Sequence, residues 1–154
     1  MILVTGASGF IGQALTAELG RRGLAFRAVS RRRSAGMFEI PLIDAAADWS
    51  EALDGVETVV HLAARVHVLR EGSADPLAEF RAVNVEATAN LARQAARAGV
   101  KRFIFISTIK VNGAGTPDGQ PFTAEDPPCP IDDYGRSKAE AEAAKKAGKH
   151  VGVG

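Results

Sequence analysis

The chain has 154 residues, 46% of them hydrophobic and 24% charged, a size and balance that suit one domain burying roughly 70% of its unfolded surface and exclude a disordered chain. A net charge of +1 excludes a field that would draw in nucleic acid or an anionic membrane, and a single cysteine excludes an internal disulfide. No charged leader precedes an apolar run, and no stretch approaches the ~20 apolar residues of a membrane span. The expectation is a soluble, cytoplasmic protein with no nucleic-acid or membrane partner and no metal site, in which Cys129 is an ordinary loop residue.

A short apolar strand starts at Met1 and runs into Val4-Thr5-Gly6-Ala7-Ser8-Gly9-Phe10-Ile11-Gly12, which opens an amphipathic helix through Leu19. The order is strand, tight glycine turn, helix. The first N–H groups of such a helix lack intrachain partners, and its dipole is positive there, so a pyrophosphate can rest on the turn. Gly6 permits the turn, Gly9 lets backbone approach phosphate, and Gly12 lets helix and strand pack closely. The bland alternative is an ordinary loop, since this glycine spacing alone carries little information. No Gly-Lys-Ser/Thr follows, which excludes a mononucleotide P-loop.

Gly23 stops the helix, and Ala25 to Ser30 form a second strand. Its end is where a dinucleotide fold reads the ribose 2′ position, and here Ser30 is followed by Arg31-Arg32-Arg33. Arginine suits a 2′-phosphate, so the lean is toward NADP over NAD; a solvated basic turn is the alternative. Met37 to Ile43 are a third strand ending at Asp44, placed to contact an adenine. Trp49 to Leu53 form a short helix, and Thr58-Val59-Val60-His61-Leu62 read as a strand buried on both faces. Ala63 and Ala64 at its end leave room for a flat cofactor. His61 lies inside the strand and reads as a packed, hydrogen-bonded residue; for His67 in the following loop, facing a substrate is the less favoured reading beside an ordinary loop position.

Pro76 to Ala98 carry apolar residues at helical spacing, with Asn84 on the apolar face. Asn84 either makes a local backbone hydrogen bond or orders a water near catalytic side chains. Phe103 to Thr108 form a fifth strand, Gly113 to Pro130 a loop, and Asp132-Asp133 cap a last helix through Lys146. Alternation of strands and helices indicates an α/β fold, a doubly wound parallel sheet with helices on both faces. Ligands of such sheets bind across the carboxyl ends of the strands, where Gly9, Asp44, Ala63, Ala64, Ser107 and Thr108 all fall.

Tyr134 and Lys138 stand four residues apart, on one face of the last helix. A phenol near pKa ~10 is a poor base at neutral pH, and a neighbouring Lys⁺ lowers that value. With Thr108 holding a substrate oxygen, Tyr134 can take or give its proton. A surface pair on a helix is the alternative.

Together, Thr5-Gly6-Ala7-Ser8-Gly9-Phe10-Ile11-Gly12, His61-Leu62-Ala63-Ala64, Asn84-Val85-x-x-Thr88-x-Asn90-Leu91, Phe105-Ile106-Ser107-Thr108 and Tyr134-x-x-Ser137-Lys138 resemble the extended short-chain dehydrogenase/reductases. Within that superfamily they resemble the NAD-dependent epimerase/dehydratase family, the UDP-glucose 4-epimerase-like group. The resemblance runs from Met1 to Glu142 and implies a Rossmann-like fold. It implies that Gly6, Gly9 and Gly12, with Phe10 and Ile11 beside them, bind the pyrophosphate and that Asp44 binds the adenine. It further implies that Leu62, Ala63, Ala64 and Ser107 line the cofactor, that Asn84 supports the site, and that Lys138 holds the nicotinamide ribose. Thr108, Tyr134 and Lys138 become the catalytic group, a nucleotide-sugar such as a UDP-sugar the substrate, and a homodimer a possible assembly.

Three departures stand out. The acid that NAD-using members carry after the second strand is replaced by Ser30-Arg31, the position often aromatic in epimerases is Asn112, and the family runs to about twice this length. The expectation is therefore a single cofactor-binding domain, residues 1–154, lacking the C-terminal part that grips the sugar nucleotide. Epimerisation is favoured over reduction or dehydration, since Ile109-Lys110 is not the acid pair of the dehydratases. A non-catalytic, redox-sensing dinucleotide module is the alternative from another class.

Overall fold

The computed structural model describes residues 1–66, 75–116 and 119–147, with the side chains of residues 145–147 excepted. His67 and residues 148–154 lie outside the described residues. Five parallel strands form one sheet in the order β3-β2-β1-β4-β5. They are β1 (Ile2–Thr5), β2 (Phe26–Ser30), β3 (Met37–Glu39), β4 (Thr58–His61) and β5 (Arg102–Phe105). In the register, Thr5 stands beside His61 and His61 beside Phe105, so β1, β4 and β5 end level with one another.

The sheet is buried on both faces, which is why its central strands are apolar throughout rather than alternating. On one face Leu3, Val29, Val59 and Phe103 pack with Trp49, with Leu53 of α2 (Ser50–Leu53), and with Leu91 and Ala95 of α4 (Ala87–Arg97). On the other, Val4 and Ala28 pack with Ala7 and with Leu19 of α1 (Phe10–Arg21). The doubly wound, Rossmann-like expectation holds, with helices on both faces. Among the described residues no helix is long and apolar enough to cross a membrane.

Three boundaries differ from the sequence reading. β3 stops at Glu39 rather than Ile43; Ile40 still donates to the Ser30 carbonyl, but Pro41 has no N–H to extend the ladder. The segment Pro76 to Ala98 is not one regular helix: α3 (Pro76–Arg81) and α4 are joined by a π-helical segment, Ala82–Glu86, with Asn84 at its centre. β5 ends at Phe105, so Ser107 and Thr108 lie beyond the strand, where Thr108 caps a 3-10 turn, Ile109–Val111. The last helix, α5 (Asp133–Ala147), starts as expected, with the Asp132 carboxylate accepting from Gly135 N at 2.6 Å.

Two glycines of α1 separate packing from propensity. A Cβ on Gly12 would stand 2.2 Å from the Gly6 carbonyl oxygen and 2.7 Å from Ala7 Cα, whereas a Cβ on Gly20 would find only Phe26 Cε1 at 4.0 Å. Gly12→Ala should therefore cost about 3 kcal/mol by forcing helix and turn apart. Gly20→Ala should gain about 0.5 kcal/mol from helix propensity. Urea melts of the two variants read the opposite signs.

Candidate active site

From β1 the chain proceeds outward to β2 and β3, then returns across the sheet to place β4 on the other side of β1. The carboxyl ends of β1 and β4 are thus the switch point at which doubly wound sheets hold ligands. Gly6 sits there with φ +66°, and a Cβ on it would be 2.8 Å from Ala63 N. No other residue lets the two chain segments approach so closely. A Cβ on Gly9 would meet only the Gly6 oxygen, at 3.3 Å, so the approach to the start of α1 stays open. No side chain caps that helix, and Phe10 and Ile11 on its first turn are 94% and 57% exposed. The free N–H groups and the positive dipole end face outward together.

A buried polar trio holds the switch point. Thr5 Oγ1 accepts from Leu62 N and Ala63 N, both at 3.2 Å, and lies 2.7 Å from His61 Nδ1. Two accepted bonds occupy the hydroxyl's lone pairs, so its proton goes to Nδ1. His61 Nε2 then carries the hydrogen and donates to Thr88 Oγ1 at 2.9 Å. Burial, with the charge of Lys138 second, pushes His61 down to about 3. This is the packed, neutral histidine expected of a mid-strand position, and it has no proton to offer a substrate.

Beyond β5, Ser107 Oγ is buried with no hydrogen-bond partner. An unpartnered buried hydroxyl is costly unless something outside the chain satisfies it. Next to it, half-buried Thr108 accepts weakly from Lys110 N at 3.4 Å. Lys138 is 2% exposed; its ammonium donates to the Ile106 carbonyl at 2.7 Å and lies 3.8 Å from the centroid of Phe105, which stacks on His61. Burial pushes Lys138 down to about 8, against the pull of Glu142. Tyr134 is half-buried, its ring tilted against Phe80 at 6.1 Å.

The phenol differs from the sequence expectation. Burial raises its pKa, Lys110 opposes that rise and Asp132 adds to it. The Lys138 ammonium donates to the Ile106 carbonyl and lies over the Phe105 ring.

Asn84, 1% exposed, bonds to backbone as one reading had it, but the partner is Arg65, 19 residues away, rather than a local group. Its Nδ2 donates to the Arg65 carbonyl at 3.0 Å and to Ser137 Oγ at 2.9 Å, while Oδ1 accepts from Arg65 N at 2.8 Å. Both amide hydrogens go to the protein, so Asn84 has none left to donate to a cofactor; it ties the loop after β4 to α5. Ser137 in turn donates to the Tyr134 carbonyl at 2.8 Å. π segments arise where a helix accommodates an extra residue, often beside functional sites. Arg31 and Arg32 are exposed after β2, and Arg32 N donates to Ser30 Oγ. Asp44 is half-buried and caps its own turn through Ala46 N at 2.8 Å.

Sequence reasoning gave no place in the site to Arg65, Lys110 or Gly135. A Cβ on Gly135 would stand 2.7 Å from the Lys110 carbonyl oxygen, so the start of α5 and the 3-10 turn meet backbone to backbone. The glycine in Tyr134-Gly135-Arg136-Ser137-Lys138 was the available signal.

An adenine dinucleotide fits this edge on three counts: the uncapped start of α1, the glycine turn, and the unpartnered Ser107 hydroxyl. Residues 2–150 match the NAD dependent epimerase/dehydratase family. The chain belongs to that family. Over 146 residues it is 47% identical to a UDP-glucose 4-epimerase of Vibrio cholerae, an alignment covering 92% of this chain and 44% of that protein. Among solved structures it resembles a short-chain dehydrogenase/reductase superfamily protein from Agrobacterium tumefaciens with bound NAD (TM-score 0.78, 36% identity, 94% of this chain and 43% of that one). It also resembles MoeE5 in complex with UDP-glucuronic acid and NAD (TM-score 0.82, 32% identity, 99% and 52%). The chain spans about half the length of these relatives.

The neutral His61 generates a pH dependence for this family member. Unfolded, the imidazole takes up a proton at its ordinary 6.5; folded, it refuses one until about 3. The unfolded state binds more protons in that window, so stability is lost as pH falls through it. Between pH 6.5 and about 5 the loss should be about 1.5 kcal/mol in urea melts, and His61→Gln should flatten that slope.

Proposed function

We propose that this chain is the NAD(P)-binding, catalytic half of a nucleotide-sugar 4-epimerase-type enzyme, with Tyr134 as the acid/base. What carries the reading is the meeting of α5, bearing Tyr134 and Lys138, with the turn begun by Thr108, beside the switch point. Thr108 holds the oxygen of a sugar carbinol, and Tyr134 takes its proton. A bound nicotinamide would supply the hydride acceptor and donor for that carbon. Tyr134 would give the proton back to the oxygen as hydride came to the opposite face, which would yield the epimer. Lys138, held at the Ile106 carbonyl, stands ready for the nicotinamide ribose, and Ser107 faces the same ligand. The UDP-sugar reading is supported by the Vibrio cholerae relative and by MoeE5 with its UDP-glucuronic acid. Ile109 and Lys110 in place of an acid pair speak against dehydration.

NAD and NADP are distinguished by Arg31 and Arg32. Both solved relatives named above hold NAD, while two exposed guanidiniums suit an added 2′-phosphate. Arg31→Ala should weaken NADP⁺ about tenfold, the value of one charged contact, and leave NAD⁺ unchanged in fluorescence titrations.

Tyr134→Phe tests the chemistry. Dinucleotide affinity should stay within about twofold, and interconversion of UDP-glucose and UDP-galactose should fall by roughly 10²–10⁴. Retained turnover in that variant would reject Tyr134 as the acid/base. Tight dinucleotide binding with no turnover of any UDP-sugar would favour the redox-sensing module.

A further inference from the structure

Gln94 has no place in the site as read from the sequence, yet both polar atoms of its amide are committed to the loop that carries Asp44. It lies on α4 one turn after Asn90, on the same face of the helix. Gln94 Nε2 donates to the Ala47 carbonyl at 2.8 Å and to Asn90 Oδ1 at 2.9 Å, while its Oε1 accepts from Trp49 N at 2.9 Å. Asn90 Nδ2 donates to the same Ala47 carbonyl at 2.8 Å and reaches the Asp44 carbonyl at 3.4 Å. Both lone pairs of the Ala47 oxygen are thereby taken. The orientation of the Gln94 amide follows, since only its nitrogen can serve two acceptors.

Asp44 opens the loop so held. Its Oδ1 accepts from Ala46 N at 2.8 Å and its carbonyl from Ala47 N at 3.4 Å, which closes the turn, and fully buried Trp49 anchors the far end. Asp44 Oδ2 takes part in none of these bonds. A half-buried carboxylate with one oxygen to spare is an acceptor for an amine. Adenine offers such an amine at its sixth position, where hypoxanthine carries a carbonyl oxygen. Asn90 holds the middle of the loop, whereas Gln94 bonds both its middle and its end and so sets the spacing between them. The same helix takes the His61 hydrogen on Thr88 Oγ1, so α4 fixes this loop relative to the switch point.

We propose that Gln94 is the positioning residue that holds the Asp44–Trp49 loop in the shape in which the Asp44 carboxylate accepts from the amine of adenine, and that it thereby sets the base selectivity of the cofactor site. The proposal deepens the dinucleotide reading of this edge and rests on Asp44 as the adenine contact.

Calorimetric titration of the intact chain with NAD⁺ and with its hypoxanthine analogue reads the ratio of the two affinities, without substrate or turnover. Wild type should favour NAD⁺ by about tenfold, the value of one charge-assisted hydrogen bond. Asp44→Asn should bring the ratio to about one, because its amide can turn to serve either base. Gln94→Met, similar in length but without hydrogen bonds, should lower the ratio to about threefold or less through weaker NAD⁺ binding alone. Gln94→Glu keeps the acceptor for Trp49 N but sets an oxygen against the Ala47 carbonyl, and should lower the ratio as well. General destabilisation would weaken both dinucleotides alike and leave the ratio in place. Melts followed by Trp49, the chain's only tryptophan, set a temperature at which each variant is folded. In the Asp44→Asn background, Gln94→Met should change the ratio no further.

A wild-type ratio in both Gln94 variants, with selectivity lost in Asp44→Asn, would overturn the role of Gln94 alone. A ratio that Asp44→Asn leaves unchanged, or no selectivity in wild type, would overturn the adenine contact and the proposal with it. Failure of both dinucleotides to bind would overturn the dinucleotide reading itself.

Discussion

The hydroxyl of Thr5 is the tie on which this architecture depends. It sits at the end of the central strand, takes the N–H groups of Leu62 and Ala63, and gives its proton to His61. Every polar atom of that buried trio has a defined direction, because the lone-pair count leaves only one assignment. The tie draws the end of β4 against the first turn so closely that a methyl group at Gly6 would collide with it. At the other end of the same turn the start of α1 has no side-chain cap, which leaves its first N–H groups for an anion.

A second corner is built by different means. Asn84, Ser137 and the backbone of Arg65 join the loop after β4 to α5, and Gly135 lets α5 press on the turn beyond β5. Phe80 supports the Tyr134 ring from α3. The side chains that would touch substrate are thus set by others that touch none of it. Low dielectric around Lys138 and the half-buried phenol makes the few charges present, Lys110 and Asp132 among them, weigh more than they would in water.

How far the sequence disclosed this depends on the range of the interactions. β1, β4 and the α1 turn were legible because local cues, an unbroken apolar run and spaced glycines, coincide with the tertiary outcome. His61 was legible as a core residue from its place within a strand. β3 was read too long because an apolar run continues through Pro41, whose missing N–H outweighs its neighbours' hydropathy. Ser107 and Thr108 were assigned to a strand that ends at Phe105, since residue type alone does not show where a ladder loses its partner. The partners of Asn84 and the place of Lys110 lay beyond reach: Asn84 meets Ser137 across 53 positions, and Lys110 meets Asp132 across 22. Spacing on one helix likewise says nothing of the Ile106 carbonyl to which the Lys138 ammonium donates.

The π segment at Ala82–Glu86 bears on how this helix tolerates change in length. Each residue of a regular α-helix advances the side chains by about 100°, and a π turn takes up one residue more than an α turn does. Excising one residue here would therefore regularise the backbone and keep Leu91 and Ala95, fully buried against the sheet, in phase. The irregular turn thus absorbs an extra residue between two helical halves with separate duties: Phe80 in one stands behind the phenol, while Leu91 in the other seals the core. A deletion within it would spare both halves and remove the bulge that Asn84 occupies.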